Sequence, residues 1–120
     1  MGFMRSLSYA WSGIVYAIRS EKHMKIHITA GLGVLTLAAV LRLESLDWAI
    51  LILAIALVIM AELVNTAVER VTDLACGGEF HPLAKLAKDA ASGAVLVCAG
   101  ASVFIGLFVL GPPLWRLLAI

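Results

Sequence analysis

The chain has 120 residues, of which 62% are hydrophobic and only 14% charged, whereas soluble domains run at about half apolar and about a quarter charged. That balance argues for an integral membrane protein. The net charge of +1, with no stripe of Lys and Arg interleaved with aromatics, argues against nucleic acid as a partner.

The opening stretch "MGFMRSLSYAW" lacks the basic segment, apolar run and small-residue cleavage site of a secretory signal, so insertion is expected to rest on mature segments. Gly2 and Ser6 fit a myristoylation pattern, which the spans below make superfluous. Over residues 5–20, Leu7, Ala10, Trp11, Ile14, Val15 and Ile18 recur at helical spacing, with Arg5, Ser8, Ser12, Tyr16 and Arg19 turned away. This predicts an amphipathic helix on the membrane surface, or one packed on neighbouring membrane helices. Three apolar stretches follow, at residues 26–43, 48–68 and 90–111, each near the roughly 20 residues that cross a bilayer core. The expectation is a single all-α membrane domain over residues 1–120.

Between the first two spans lies only "ESLD", which makes them an antiparallel hairpin. Between the second and third, Gly77 and Gly78 are placed to stop one helix and Pro82 to open the next. Arg5, Arg19, Lys22 and Lys25 precede the first span and Arg70, Lys85 and Lys88 precede the third, against Arg42 alone in the short turn. The N-terminus and the longer loop are therefore expected in the cytoplasm, on the inner side of a cell membrane. Small residues along the third span, including Gly93, Ala94, Gly100, Ala101 and Ser102, would let helices approach closely. Three helices enclose little, so an oligomer is expected. Cys76 and Cys98 offer neither a CxxC spacing nor a disulfide framework.

Chemistry gathers at the end of the second span. Glu62, Asn65, Thr66, Glu69 and Asp73 fall within an arc of roughly 100° on a helix, with apolar residues filling the rest. A span starting at Trp48 would put Glu62 about 9 Å inside the inner boundary. Carboxylates there are costly and need compensation. Arg70 is expected to point off this face, and Asp, Glu and Asn oxygens suit Mg²⁺. The other account is a hydrated helix end paired with basic residues of the loop. Glu21 would stand at the same level and complete a cation site, or pair with Lys22 or Lys25. His23 and His27 share a face at zinc-compatible spacing, but no third ligand accompanies them. Lys85, Lys88 and Ser92 are expected on one side of the helix opened by Pro82, with Asp89 adjacent, facing a polyphosphate or snorkelling at a helix end. No GxxxxGK[ST] loop is present.

The stretch "AELVNTAVERVTDLACGGEFHPLAKLAKDAASGAVLV" resembles the signature of the bacterial membrane-embedded diacylglycerol kinases and undecaprenol kinases, E-x-x-N-[ST]-A-x-E-x-x-x-D followed by E-[YF]-H and A-K-D. The resemblance implies a homotrimer that transfers the γ-phosphate of Mg²⁺-ATP to a lipid hydroxyl at sites shared between subunits. Carried onto these residues, Glu62 would be the general base, with Asn65 beside it. Glu21 and Glu69 would bridge Mg²⁺ to ATP. Lys88 would contact the phosphates and Asp89 the nucleotide, with Glu79 and His81 by the base and sugar. Tyr9 matches a position near nucleotide, and Trp11 and Ser92 match positions near the lipid. "EFHPLAKLAKD" and "MKIHIT" look more like the undecaprenol-kinase branch, which implies a polyprenol acceptor. The family's E-x-N near the first span reads Glu21-Lys22-His23 here, and Arg5 is the nearest counterpart of its N-terminal arginine. A small oligomeric cation or proton-coupled transporter, with Glu62 and Glu69 as a relay, is the alternative from the residues alone.

Overall fold

The computed structural model describes residues 2–119. Four helices follow in order: α1 (Phe3–Ser20), α2 (Lys22–Val40), α3 (Ser45–Ala75) and α4 (Pro82–Leu118). No strand occurs among the described residues. Three of the four, α2, α3 and α4, are long and apolar enough to cross a membrane. Large apolar side chains such as Leu32, Leu53, Phe104 and Phe108 stand exposed along them, as a lipid-facing surface requires. The chain is an all-α multi-pass membrane protein.

Each junction has a local cause. Glu21 alone separates α1 from α2; its extended backbone (φ −113°, ψ 118°) breaks the helix while its N–H still bonds to the Ala17 carbonyl at 3.0 Å. The carboxylate of Glu21 is thereby fixed at the elbow. After α2, Arg42 takes a left-handed conformation (φ 54°), and the Arg42 and Leu43 amides bond back to Ala39 and Ala38. This is a Schellman closure with arginine where glycine is usual. α3 ends in the same motif built on Gly77 (φ 61°) and Gly78 (φ 78°), whose amides bond to Leu74 and Asp73. His81 then caps α4: its Nδ1 accepts from the Leu83 amide at 3.1 Å, and Pro82 needs no donor at the first position.

The helices run past the apolar stretches. α3 carries its acidic face on to Ala75 without a break, and α4 begins eight residues before the apolar run at residue 90. The polar segment with Lys85 and Lys88 and the third span are one rod, and α4 also continues through Pro112 and Pro113 to Leu118. The apolar core lies at the α2–α3 turn, where Ala38, Leu51 and Leu110 are buried with Val34, Leu37 and Trp48 against them. Midway along the hairpin, α2 and α3 approach closely at Gly31, where a β-carbon would stand 3.0 Å from Ile55 Cγ2. α1 touches the bundle with its second half only: Ala17 is buried, Ile14, Val15 and Ile18 are half-buried, and Leu7 and Trp11 are exposed.

Candidate active site

The end of the bundle opposite the core carries the polar chemistry. On α3 the side chains of Glu62, Asn65 and Thr66 are buried, at 3%, 8% and 4% exposure. Thr66 settles its hydroxyl by donating to the Glu62 carbonyl at 3.0 Å. The Glu62 carboxylate meets α2: Oε1 lies 3.2 Å from His27 Nε2. His23, His27, Glu62, Asn65 and Ser92 line one polar cavity of about 300 Å³. At His27 and Ala99 that cavity joins an apolar groove of about 500 Å³, which runs between α2, α3 and α4 to Leu114.

Asn65 links this cavity to the next cluster. Its Nδ2 donates to Glu69 Oε1 at 3.2 Å, while its Oδ1 is buried without a partner. Beyond Glu69, the Arg70 guanidinium stands between two carboxylates, 3.2 Å from Glu21 Oε1 and 3.7 Å from Glu69 Oε2. Its Nε also donates to the Tyr16 hydroxyl, tying α1 to α3. Two sequence expectations are corrected here. Arg70 does reach the acidic face, because its long stem carries the guanidinium back over Glu69, and Glu21 pairs with Arg70 rather than with Lys22 or Lys25.

A second polar cavity, of about 360 Å³, opens at the α3–α4 turn, where Asp73, Glu79, His81, Lys85, Lys88 and Asp89 are neighbours. Lys88 pairs with Asp73 at 2.5 Å and Lys85 with Asp89 at 2.6 Å. Ser92 does not join the lysines but turns into the Glu62 cavity. Of the residues singled out in the sequence, Glu62, Asn65 and Ser92 share one cavity and Glu79, His81, Lys88 and Asp89 another, with Glu21 and Glu69 meeting at Arg70. Tyr9 and Trp11 join none of these groups; they stand 60% and 64% exposed on α1.

The donor set fits a magnesium ion. Glu21 and Glu69 already converge on one cationic group, Arg70. Among the described residues no three His, Cys, Asp or Glu side chains form a cluster that would hold a metal by themselves. Mg²⁺ characteristically takes one or two carboxylates and completes its shell with water and substrate phosphates.

Sequence reasoning missed His27, Tyr16 and Arg70 as members of the site. A signal for His27 was present: it lies 17 residues before Glu44 and Glu62 lies 18 after it, so an antiparallel hairpin brings them level.

Three apolar spans with a buried carboxylate and flanking lysines at one end define a small membrane protein built to handle charged groups at the bilayer surface. Residues 8–110 match the model of the prokaryotic diacylglycerol kinase family. A diacylglycerol kinase of Synechocystis sp. is 46% identical over 94% of this chain and 65% of its own length. The undecaprenol kinase of Bacillus subtilis is 40% identical over 93% of this chain and 90% of its own. A diacylglycerol kinase of Escherichia coli is 32% identical over 78% of this chain and 76% of its own. The chain spans just under two thirds of the Synechocystis relative. It belongs to the prokaryotic diacylglycerol kinase family, a family of membrane lipid kinases for which ATP is the co-substrate.

Proposed function

We propose that this protein transfers the γ-phosphoryl group of ATP to the hydroxyl of a membrane lipid, with a polyprenol as acceptor. The observation that carries this reading is the position of Glu62, a buried carboxylate at the mouth where a polar cavity meets an apolar groove. An amphiphile with its hydroxyl at Glu62 and its chain in the groove satisfies both. The groove extends to Leu114, about 22 Å beyond Ala99 along α4 at helical rise. Its polar members are His27, turned to Glu62, and Ser102, whose hydroxyl donates to the Ala54 carbonyl at 3.3 Å. A groove with its donors engaged suits a hydrocarbon chain better than the ester carbonyls of a diacylglycerol.

Glu62 takes the proton of the lipid hydroxyl as its oxygen attacks the γ-phosphorus, and the bond to the bridging oxygen breaks to release ADP. Lys88 holds the phosphates and Asp89 the nucleotide, with Glu79 and His81 at its base and sugar; the common cavity of these four supports the grouping. Glu21 and Glu69 would hold Mg²⁺, which when bound neutralises phosphate charge. Asn65 and Ser92 orient the acceptor. Tyr9 and Trp11 act across a subunit boundary in a homotrimer, a role supported by their lining neither polar cavity of their own chain. The open faces at Gly93 and Gly100, where a β-carbon would meet nothing within 4 Å, leave room for a neighbouring helix. The site faces the cytoplasm of a bacterial inner membrane, where ATP is available.

Phosphate transfer from labelled ATP in bilayers offered undecaprenol or diacylglycerol tests the reading. Glu62→Gln is expected to lower kcat by about 10²- to 10⁴-fold, the usual worth of a general base. Wild-type turnover in Glu62→Gln removes Glu62 from this role, and a preference for diacylglycerol removes the polyprenol.

A further inference from the structure

We infer that His27 is a positioning residue for Glu62, whose close contact with the carboxylate holds it so that one chosen oxygen meets the lipid hydroxyl. This rests on Glu62 as the base. His27 comes from α2, outside the acidic stripe of α3, and its Nε2 lies 3.2 Å from Glu62 Oε1. A carboxylate carries no hydrogen of its own, so the contact is favourable with the hydrogen on Nε2. Glu62 is 3% exposed, and among the described residues its carboxylate has no ion-pair partner besides His27.

That single contact has a definite effect. The terminal torsion of a glutamate is broad and roughly two-fold, so a lone buried carboxylate presents either oxygen in many orientations. An imidazole held against Oε1 restricts the plane and leaves Oε2 for the lipid hydroxyl. During transfer the lipid O–H bond breaks and its proton goes to Oε2; the lipid oxygen bonds to the γ-phosphorus, and the bond to the bridging oxygen breaks with its electron pair leaving on ADP. His27 keeps its proton throughout. The neighbouring Asn65 is engaged elsewhere: its amide donates to Glu69 at 3.2 Å, and it makes no hydrogen bond to Glu62. The His27 ring also lines the start of the apolar groove, so the group that sets the base stands where the lipid headgroup gives way to its chain.

The test uses the full-length protein in lipid bilayers with Mg²⁺-ATP and undecaprenol, comparing wild type, His27→Ala, His27→Gln and Glu62→Gln. Loss of this contact to a charged group predicts that His27→Ala lowers kcat about 10- to 100-fold, with KM for ATP held within about threefold. The Gln side chain places an amide donor near the position of Nε2, so His27→Gln recovers most of kcat. Nitrogen NMR of ¹⁵N-labelled histidine supplies a readout independent of turnover: His27 carries an Nε2–H shifted by the adjacent carboxylate in the wild type, and Glu62→Ala abolishes that signature. Three results overturn the inference: unchanged kcat in His27→Ala beside an inactive Glu62→Gln, a Gln variant as impaired as Ala with intact assembly, or a wild-type His27 without the Nε2–H signature. Were the substituted chains not to assemble, the wild-type spectrum still decides. Full activity in Glu62→Gln would instead remove the base assignment, a separate failure.

Discussion

At Asn65 one amide serves two clusters. The Glu69 carboxylate accepts only, so it takes the Nδ2 side and leaves Oδ1 buried without a partner. A buried acceptor left unpaired costs about 1–3 kcal/mol, and a lipid hydroxyl or a water relieves it. Asn65→Ala removes donor and acceptor together and is expected to change stability by less than about 1 kcal/mol. Asn65→Asp places a third carboxylate beside Glu62 and Glu69, and is expected to destabilise by about 2–4 kcal/mol; denaturant titration in detergent distinguishes the two. The acidic stripe itself was legible in the sequence, because residues three and four apart on one helix must share a face. Arg70 was not: helical phase reports the direction of a β-carbon, and a guanidinium on a long stem can end over the preceding residue. His27 was hidden for another reason, since its partner lies on a different helix and only the hairpin register joins them.

Helices and their punctuation were read well, and their lengths less well. The glycine pair after α3, the proline opening α4 and the short α2–α3 turn follow from backbone sterics that act locally. Hydropathy, by contrast, marks where a helix is apolar, not where it stops, so the polar first two turns of α4 and its passage through Pro112 and Pro113 lay outside the expected span. The two Schellman closures differ in their residue at the left-handed position, glycine in one and Arg42 in the other. A residue with a β-carbon costs about 1–2 kcal/mol there. Gly77→Ala and Gly78→Ala are each expected to lose about 1 kcal/mol of stability, whereas Arg42→Gly gains a smaller amount, offset by the added freedom of its unfolded chain. The glycine substitutions bear on the site as well, since Gly78 lines the cavity with Lys88 and Asp89. Their effect on KM for ATP should exceed that of Arg42→Gly, which acts at the far end.

Taken whole, the molecule is polarised along its length of about 60 Å. The elbow at Glu21, the end of α3 and the start of α4 lie together at one end, and the α2–α3 turn lies at the other. Of the nine basic residues, Arg19, Lys22, Lys25, Arg70, Lys85 and Lys88 belong to the first end, while Arg42 and Arg116 belong to the second. Positive charge flanking spans is retained on the cytoplasmic side, so the site end should be the inner one. The same polarity argues against a transport path, since Glu62, Glu69 and Asp73 crowd one end of α3 and only apolar residues separate them from Asp47 in its first turn. Single cysteines read the orientation directly. In a chain carrying Cys76→Ser and Cys98→Ser, Ser45→Cys marks the α2–α3 turn and Phe80→Cys marks the α3–α4 turn, both at exposed positions. A membrane-impermeant maleimide applied to intact cells is expected to label Ser45→Cys at once and Phe80→Cys only after the membrane is opened. The reverse pattern would put the lysine-lined cavity outside the cell, away from any nucleotide pool, and a kinase reading of that cavity would not survive it.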